Sequence, residues 1–327
     1  MHLRAGAYPS AVASGHGSRG SRPGQSGRLG YAPAVELAPD ELIRTLSPDG
    51  YASVRVLAAT ALAREAATRH ATSPAASVAL ARALMGGLLL ASGTQDAERI
   101  QIQVRGDGPL GTILVTADAD GRVRGYVQHP SANPPLVGES LGLSRAIGGG
   151  LLRVERNHPA WRQPYAGIVP LVTGELAQDL AHYLLESEQK PSALALGVYL
   201  GPQGEIEAAG GYLIQGLPGA PDSTLARLEQ RVSDTAHPSE LLRSGASAES
   251  MLERLLGDLS ECHLARIGPR FFCPCGPERV LRAVALLGRE ELREAVAQDE
   301  TLEVRCAFCA EVHRVAPADL VRLLYDA

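Results

Sequence analysis

Apolar and polar residues alternate strictly over residues 99–105 (RIQIQVR), the pattern of a strand with one buried face. Two more strands, at 112–116 and 122–128, flank Asp120-Gly121, a pair that favours a tight hairpin turn. Residues 194–200 and 206–214 repeat this arrangement around Gln203-Gly204. Further strands are expected at 51–58, 151–155 and 167–172. Helical spacing appears at 61–70, at 74–91, which opens on a proline, and at 175–186. A short helix is expected at 40–44 and a Gly-rich loop at 138–150. Strands and helices mix without a βαβ rhythm, so the expected class is α+β with a mainly antiparallel sheet.

The pattern changes near Pro218. From 223 to 259 it is helical, with Leu225, Leu228 and Val232 on one face. Met251, Leu252, Leu255, Leu256 and Leu259 form a second apolar face, and Pro238 and Gly245 interrupt the run. Between Asp222 and Glu261 stand eight acids against four arginines, so the solvent side is acidic. The expected organisation is a disordered tail (1–38), an α+β domain (39–220), a helical linker (221–261) and a small C-terminal zinc-binding domain (262–327). The tail holds seven Gly and five Ser in its first 30 residues and no acid before Glu36. That composition buries too little apolar surface to fold; it also has the Arg/Ser character of an organelle transit peptide.

Composition adds mainly exclusions. With 327 residues, 45 % hydrophobic and 20 % charged, the chain is long enough for two or three domains. A net charge of −5 gives no general attraction to nucleic acid or anionic lipid. No run of 18 apolar residues and no signal-peptide pattern is present, so the expected location is the cytoplasm, with neither membrane nor nucleic acid as partner. Lys190 is the single lysine among 31 basic residues, and the arginines are spread without marking a site.

All five cysteines lie after position 261, which is unlike a secreted disulfide scaffold. Cys273-Pro274-Cys275 and, 30 residues on, Cys306-Ala307-Phe308-Cys309 form two close pairs. Each pair brings two sulfurs together, and four thiolates suit a tetrahedral zinc. Reduced buried cysteines are a weak alternative and a purely structural zinc ribbon a serious one. A disulfide across the C-x-C pair would close a very small ring, the kind of strained bond found in labile, regulatory centres. Cys262 and His263 stand apart from the pairs, and His313, four residues after Cys309, is a further candidate ligand in a mixed site.

The sequence resembles the redox-regulated 33-kDa heat-shock chaperones of bacteria. The resemblance runs from about Asp40 to the C-terminus. It is carried by FFCPCGPERVLRAVALLGREELREAV followed by CAFC, and by EAATRH (65–70), RGDGPLG (105–111), GRVRGYV (121–127), PYAGIVPLVTGELAQDLAHYLLESEQKPSALALGV (164–198) and AAGGYLIQ (208–215). The tail and Cys262 lie outside the family pattern. The resemblance implies an α+β substrate-binding domain, a helical linker and a zinc domain with Cys273, Cys275, Cys306 and Cys309 as ligands. It implies disulfides Cys273–Cys275 and Cys306–Cys309 in the oxidised form. It also implies an ATP-independent holdase, silent when reduced, whose partners are unfolding client proteins and, on oxidation, a second copy of the chain. No enzymatic activity is implied.

Other motifs carry less. Gly106 to Gly111 matches G-x-G-x-x-G, but a strand follows instead of the helix a dinucleotide site needs. Cys306-Ala-Phe-Cys309 lacks the βαβ context of a thiol oxidoreductase, and an RNA-binding zinc ribbon would need a basic face. G-x-S-x-G and H-E-x-x-H are absent. His70 ends a helix, where it is expected to complement the dipole, and Ser187-Glu188-Gln189 is expected to be a structural turn.

Overall fold

The computed structural model describes residues 39–94, 97–134 and 142–325. The tail and part of the Gly-rich loop expected at 138–150 lie outside them. In chain order the strands are β1 (Glu41–Leu46), β2 (Ala52–Ala58), β3 (Arg99–Gly106), β4 (Thr112–Asp118), β5 (Arg122–Val127), β6 (Gly150–Asn157), β7 (Tyr165–Pro170), β8 (Ser192–Leu200), β9 (Ile206–Gly216), β10 (Ala265–Ile267), β11 (Arg270–Phe271), β12 (Leu302–Arg305) and β13 (Val312–Val315). The helices are α1 (Thr60–His70), α2 (Pro74–Ala91), α3 (Leu143–Ile147), α4 (Leu176–Glu186), α5 (Asp222–Asp234), α6 (Pro238–Arg243), α7 (Ala248–Leu256), α8 (Pro277–Val284), α9 (Arg289–Ala297) and α10 (Pro317–Tyr325).

The fold is α+β and mostly antiparallel. One sheet runs β10-β1-β2-β9-β8, a second runs β11-β5-β4-β3-β6-β7, and β12-β13 is a separate hairpin. The alternation that predicts β3, β4 and β5 appears as one buried and one open face in all three. Between the two large sheets lies the main core, built around α2. Helix α2 is long and apolar enough to cross a membrane by length and composition, yet 89 % of it is buried inside the fold. It is therefore a core helix, and its hydrophobicity reflects apolar neighbours on every side.

Two expectations change. Residues 40–44 are not a helix: they lead into β1, where consecutive Leu42 and Ile43 are both fully buried. The five-stranded sheet is covered on both faces, so Leu42 enters the main core while Ile43 enters a second core on the other side. Such a strand loses the alternation that identifies a half-buried one. Asp40 instead caps α1 from a distance, accepting from the N–H of Ala61 (3.0 Å) and Leu62 (2.7 Å). The second change is α3, where a loop is expected. Leu143 and Ile147, one turn apart, are buried and hold a single helical turn between Gly142 and Gly148, both with positive φ. The G-x-G-x-x-G segment links β3 to β4, strand to strand, as expected.

The stretch expected to be a linker forms three helices that lie across the outer face of the five-stranded sheet. Leu228, Leu241, Leu242, Met251, Leu252 and Leu255 pack there on Ile43, Val54, Val56, Tyr212 and Ile214. Breaks fall where the sequence places them: Pro238 opens α6, and Gly245 has φ 90°. At the first break, His237 Nδ1 lies 2.9 Å from Ser239 Oγ, and its ring fills the space a side chain at Gly197 would occupy. Burial, with the nearby Arg82 charge, lowers the His237 pKa to about 4, whereas an unfolded imidazole titrates near 6.5. Below pH 6.5 the unfolded chain therefore takes up a proton that the folded one refuses until about pH 4. Stability should fall by about 1–3 kcal/mol as pH drops through this window. Denaturant midpoints at pH 7.5 and 4.5 test this: His237→Gln should flatten the difference, and an unchanged pH dependence would count against it.

After the linker, residues 265–271 form a strap that joins both sheets. β10 pairs antiparallel with β1 (Ile43↔Arg266), and β11 pairs parallel with β5 (Phe271↔Val123). Arg266 fixes the crossing through Glu41 and Glu249, each at 2.9 Å, the latter on α7. Strap and hairpin touch at the Asp120-Gly121 turn, where a Cβ on Gly121 would come within 2.6 Å of the Ile267 side chain. The remaining elements, α8 to α10 and the β12-β13 hairpin, have a small core of their own: Val280, Val284, Leu292, Ala295, Val315 and Leu320.

Candidate metal centre

Four cysteines converge where the strap ends. Cys273 and Cys275 follow β11, and Cys306 and Cys309 sit in the knuckle between β12 and β13. The hairpin supplies the turn: Cys306 N–H donates to the Glu311 carbonyl (2.9 Å), Ala310 N–H donates to the Cys306 carbonyl (2.8 Å), and Ala310 adopts φ 59°. All four sulfurs lie within 4.8 Å of one another. Cys273 Sγ is 3.7 Å from Cys306 Sγ, and Cys275 Sγ is 3.3 Å from Cys309 Sγ. A tetrahedral centre with metal–sulfur bonds of about 2.3 Å has sulfurs about 3.8 Å apart. Both the donor set and its spacing thus fit a metal ion. Cys262 stands outside the cluster, in the turn after α7, where its N–H donates to the Leu259 carbonyl.

Electrostatics fit the same reading. Burial, then the Cys309 and Cys273 sulfurs, push the Cys275 thiol well above its ordinary range, and burial pushes Cys309 up to about 11. Burial also disfavours a Cys273 thiolate, but the Arg124 guanidinium 3.5 Å away and the Cys275 backbone more than offset it, holding that thiol below its usual value. Four crowded thiols cannot all ionise unless a cation balances them.

The centre is wedged into the main core. Cys309 is buried in it, with Phe271 beside it, and the other three cysteines pack against it. The Phe308 ring stacks edge-on to Tyr126 (5.5 Å) beneath the Arg124 guanidinium (4.2 Å). Arg124 therefore touches both halves of the cysteine motif. Arg69 lies 5.1 Å over the Phe271 ring. His70 does more than complement a helix end. It is buried, its ring meets Phe271 edge-on, and its Nε2–H donates to the Phe308 carbonyl at 3.2 Å. The sequence shows the cysteines by their spacing, but not Arg69, His70, Arg124 and Tyr126, which sit in ordinary helix and strand patterns. Glu188, within the expected structural turn, is buried and joins Arg156, the Tyr183 hydroxyl and the exposed Lys190 in one polar network.

A family model described as Hsp33 protein matches residues 40–316, a span that contains all four clustered cysteines. The chain belongs to the Hsp33 family. Relatives named 33 kDa chaperonin include that of Synechococcus elongatus, 43 % identical over 292 residues (88 % of this chain, 98 % of the relative), and that of Nostoc punctiforme, 41 % identical over 292 residues (88 % and 96 %). The crystal structure of the 33 kDa chaperonin from Thermotoga maritima superposes with a TM-score of 0.81 at 28 % identity, covering 88 % of this chain and 99 % of that one. Hsp33 proteins are molecular chaperones, not enzymes, so the thiol cluster belongs to a protein whose task is to bind other proteins.

Proposed function

We propose that this Hsp33 protein is a redox-regulated, ATP-independent holdase of the cytoplasm. Reduced, it carries one zinc on Cys273, Cys275, Cys306 and Cys309 and is silent. Oxidised, it forms the disulfides Cys273–Cys275 and Cys306–Cys309, loses zinc and captures unfolding proteins. Residues 39–220 bind substrate, 221–261 cover that surface, and 262–327 are the switch. Zinc, when bound, neutralises and holds the four thiolates. A disulfide sulfur is no longer an anionic ligand, so oxidation dissolves the site.

One observation carries this reading. The four thiols sit at the end of the strap that ties the linker helices and both sheets together. Loosening the centre would therefore act on the cover of the five-stranded sheet. The test is suppression of the aggregation of a denatured client, without ATP, by reduced and by peroxide-treated protein, with zinc measured in parallel. Reduced protein without zinc, or oxidised protein without chaperone activity, would refute the proposal. Cys262→Ser should keep metal and response alike, since that sulfur lies outside the cluster.

Arg124 should set how firmly the switch is docked. Its stacking on Phe308 and its bond to Cys273 contribute about 2 kcal/mol together. Arg124→Gln should keep the zinc yet lower hydrogen-exchange protection of β11 by roughly 10- to 30-fold. Unchanged protection would place the docking energy elsewhere.

A further inference from the structure

β7 closes one end of the six-stranded sheet, and among the described residues no strand pairs beyond it. Leu171 N–H donates to the Gly150 carbonyl (2.9 Å), so in this antiparallel ladder the odd-numbered residues of β7 face β6. Ala166 and Ile168 therefore point their N–H and C=O groups outward. Proteins usually guard such an edge with charge or proline. Residues 163–174 (QPYAGIVPLVTG) carry no charge, with Arg162 before them and Glu175 after, and the prolines flank the two outward positions without interrupting them. Exposed apolar side chains gather along the same edge: Trp161, Tyr165, Ile168 (58 % exposed), Val172 (63 %) and, on the neighbouring strand, Leu151.

The edge is self-complementary about Gly167. Pro164 and Pro170 stand three residues to either side of it, and neither has an N–H to offer. When two such edges run antiparallel, centred on Gly167, Ala166 of each chain faces Ile168 of the other and the two exchange N–H···O=C bonds. Pro164 then faces Pro170, so the missing donors coincide. Gly167 meets its own copy on the axis, a position where Cα atoms approach to about 4.5 Å. The same arrangement turns the Trp161–Arg162 end of each chain towards the Val172–Glu175 end of the other, apolar to apolar and cation to anion. We propose that β7 pairs with β7 of a second copy of this chain, about a two-fold axis through Gly167, and joins the two six-stranded sheets into one. Symmetry selects this occupant, because an unrelated extended segment would not match the paired prolines. The join does not depend on the redox reading above. It leaves the strap of each chain at the far edge of the combined sheet, and the linker helices on the other sheet.

Sedimentation equilibrium of the full chain, kept reduced, should show a monomer–dimer equilibrium. Ile168→Lys sets two like charges beside the axis and should weaken association by about 100-fold or more. Its melting temperature should stay that of the wild type, since Ile168 is exposed. Leu286→Lys, which removes an exposed leucine between α8 and α9, should associate as the wild type does. A wild type that stays monomeric up to submillimolar concentration overturns the proposal, and so does equal weakening by the two substitutions or by neither. Should Ile168→Lys fail to fold, the wild type alone decides by amide-resolved hydrogen exchange. Exchange at Ala166 and Ile168 should slow as protein concentration rises. Exchange there that is independent of concentration seats any dimer elsewhere and overturns the proposal. Slowing only when an extended unfolded peptide is added, with the chain still monomeric, gives the edge to a different occupant and overturns it too.

Discussion

Cys309→Ser, or stripping the metal with a chelator under reducing conditions, should unfold the chain from α8 onward without any oxidant. Among the described residues the C-terminal elements own only six buried apolar side chains: two leucines, three valines and one alanine. At about 1.5–3 kcal/mol for each larger side chain, that core falls far short of the ordering entropy of some fifty residues, about 1–2 kcal/mol each for the backbone alone. Local hydrogen bonds narrow the gap, but small units of this size usually need a staple. Structural zinc supplies on the order of 10–16 kcal/mol of apparent binding energy in small peptides, comparable with the whole net stability of a domain, about 5–15 kcal/mol. Hydrogen exchange should therefore show protection collapsing over α8, α9, α10 and the β12-β13 hairpin, with recovery on adding zinc to the chelated wild type. Full protection in the metal-free reduced chain would separate the metal from the folding of this segment.

The second large effect should come from the linker. Leu252, on α7, is fully buried with Met251 and Leu255 against the outer face of the five-stranded sheet. Leu252→Ala should cost about 2–5 kcal/mol, the usual range for a cavity of that kind. The loss falls on three short helices already broken at Pro238 and Gly245. Their detachment would bare Ile43, Val54, Val56, Tyr212 and Ile214, a contiguous apolar face of the sort that binds other proteins. Reduced Leu252→Ala protein should keep its zinc and yet bind a hydrophobic dye and suppress aggregation. Keeping the metal while gaining neither would place the client surface somewhere other than beneath the linker.

What the sequence reveals depends on how local the cause is. The four cysteines are legible because two tight pairs have few meanings, and β3 to β5 because one face meets water. Helix α2 is legible from its length and its Ser73-Pro74 start, where the Ser73 hydroxyl caps Ala76 N–H. The strand at Glu41–Leu46 is not, since burial on both sides erases the alternation. Nor is α3, whose single turn is held by neighbours distant in sequence. The contacts of Arg124, His70 and Tyr126 are hidden for the same reason: each is made with Phe308, more than 180 residues away. The resemblance to a family conveys the chemistry of the cysteines but not these contacts.

The strap at residues 265–271 has one more consequence. It is the outermost strand of both large sheets, on β1 of one and on β5 of the other. Peeling it away bares two rows of backbone donors and acceptors at once, each able to pair with a strand from a neighbouring molecule. The released state thus becomes sensitive to how much protein is present. Dilution should favour return of the strap to its own sheets, and crowding should favour capture of whatever extended chain is nearest, whether client or second copy.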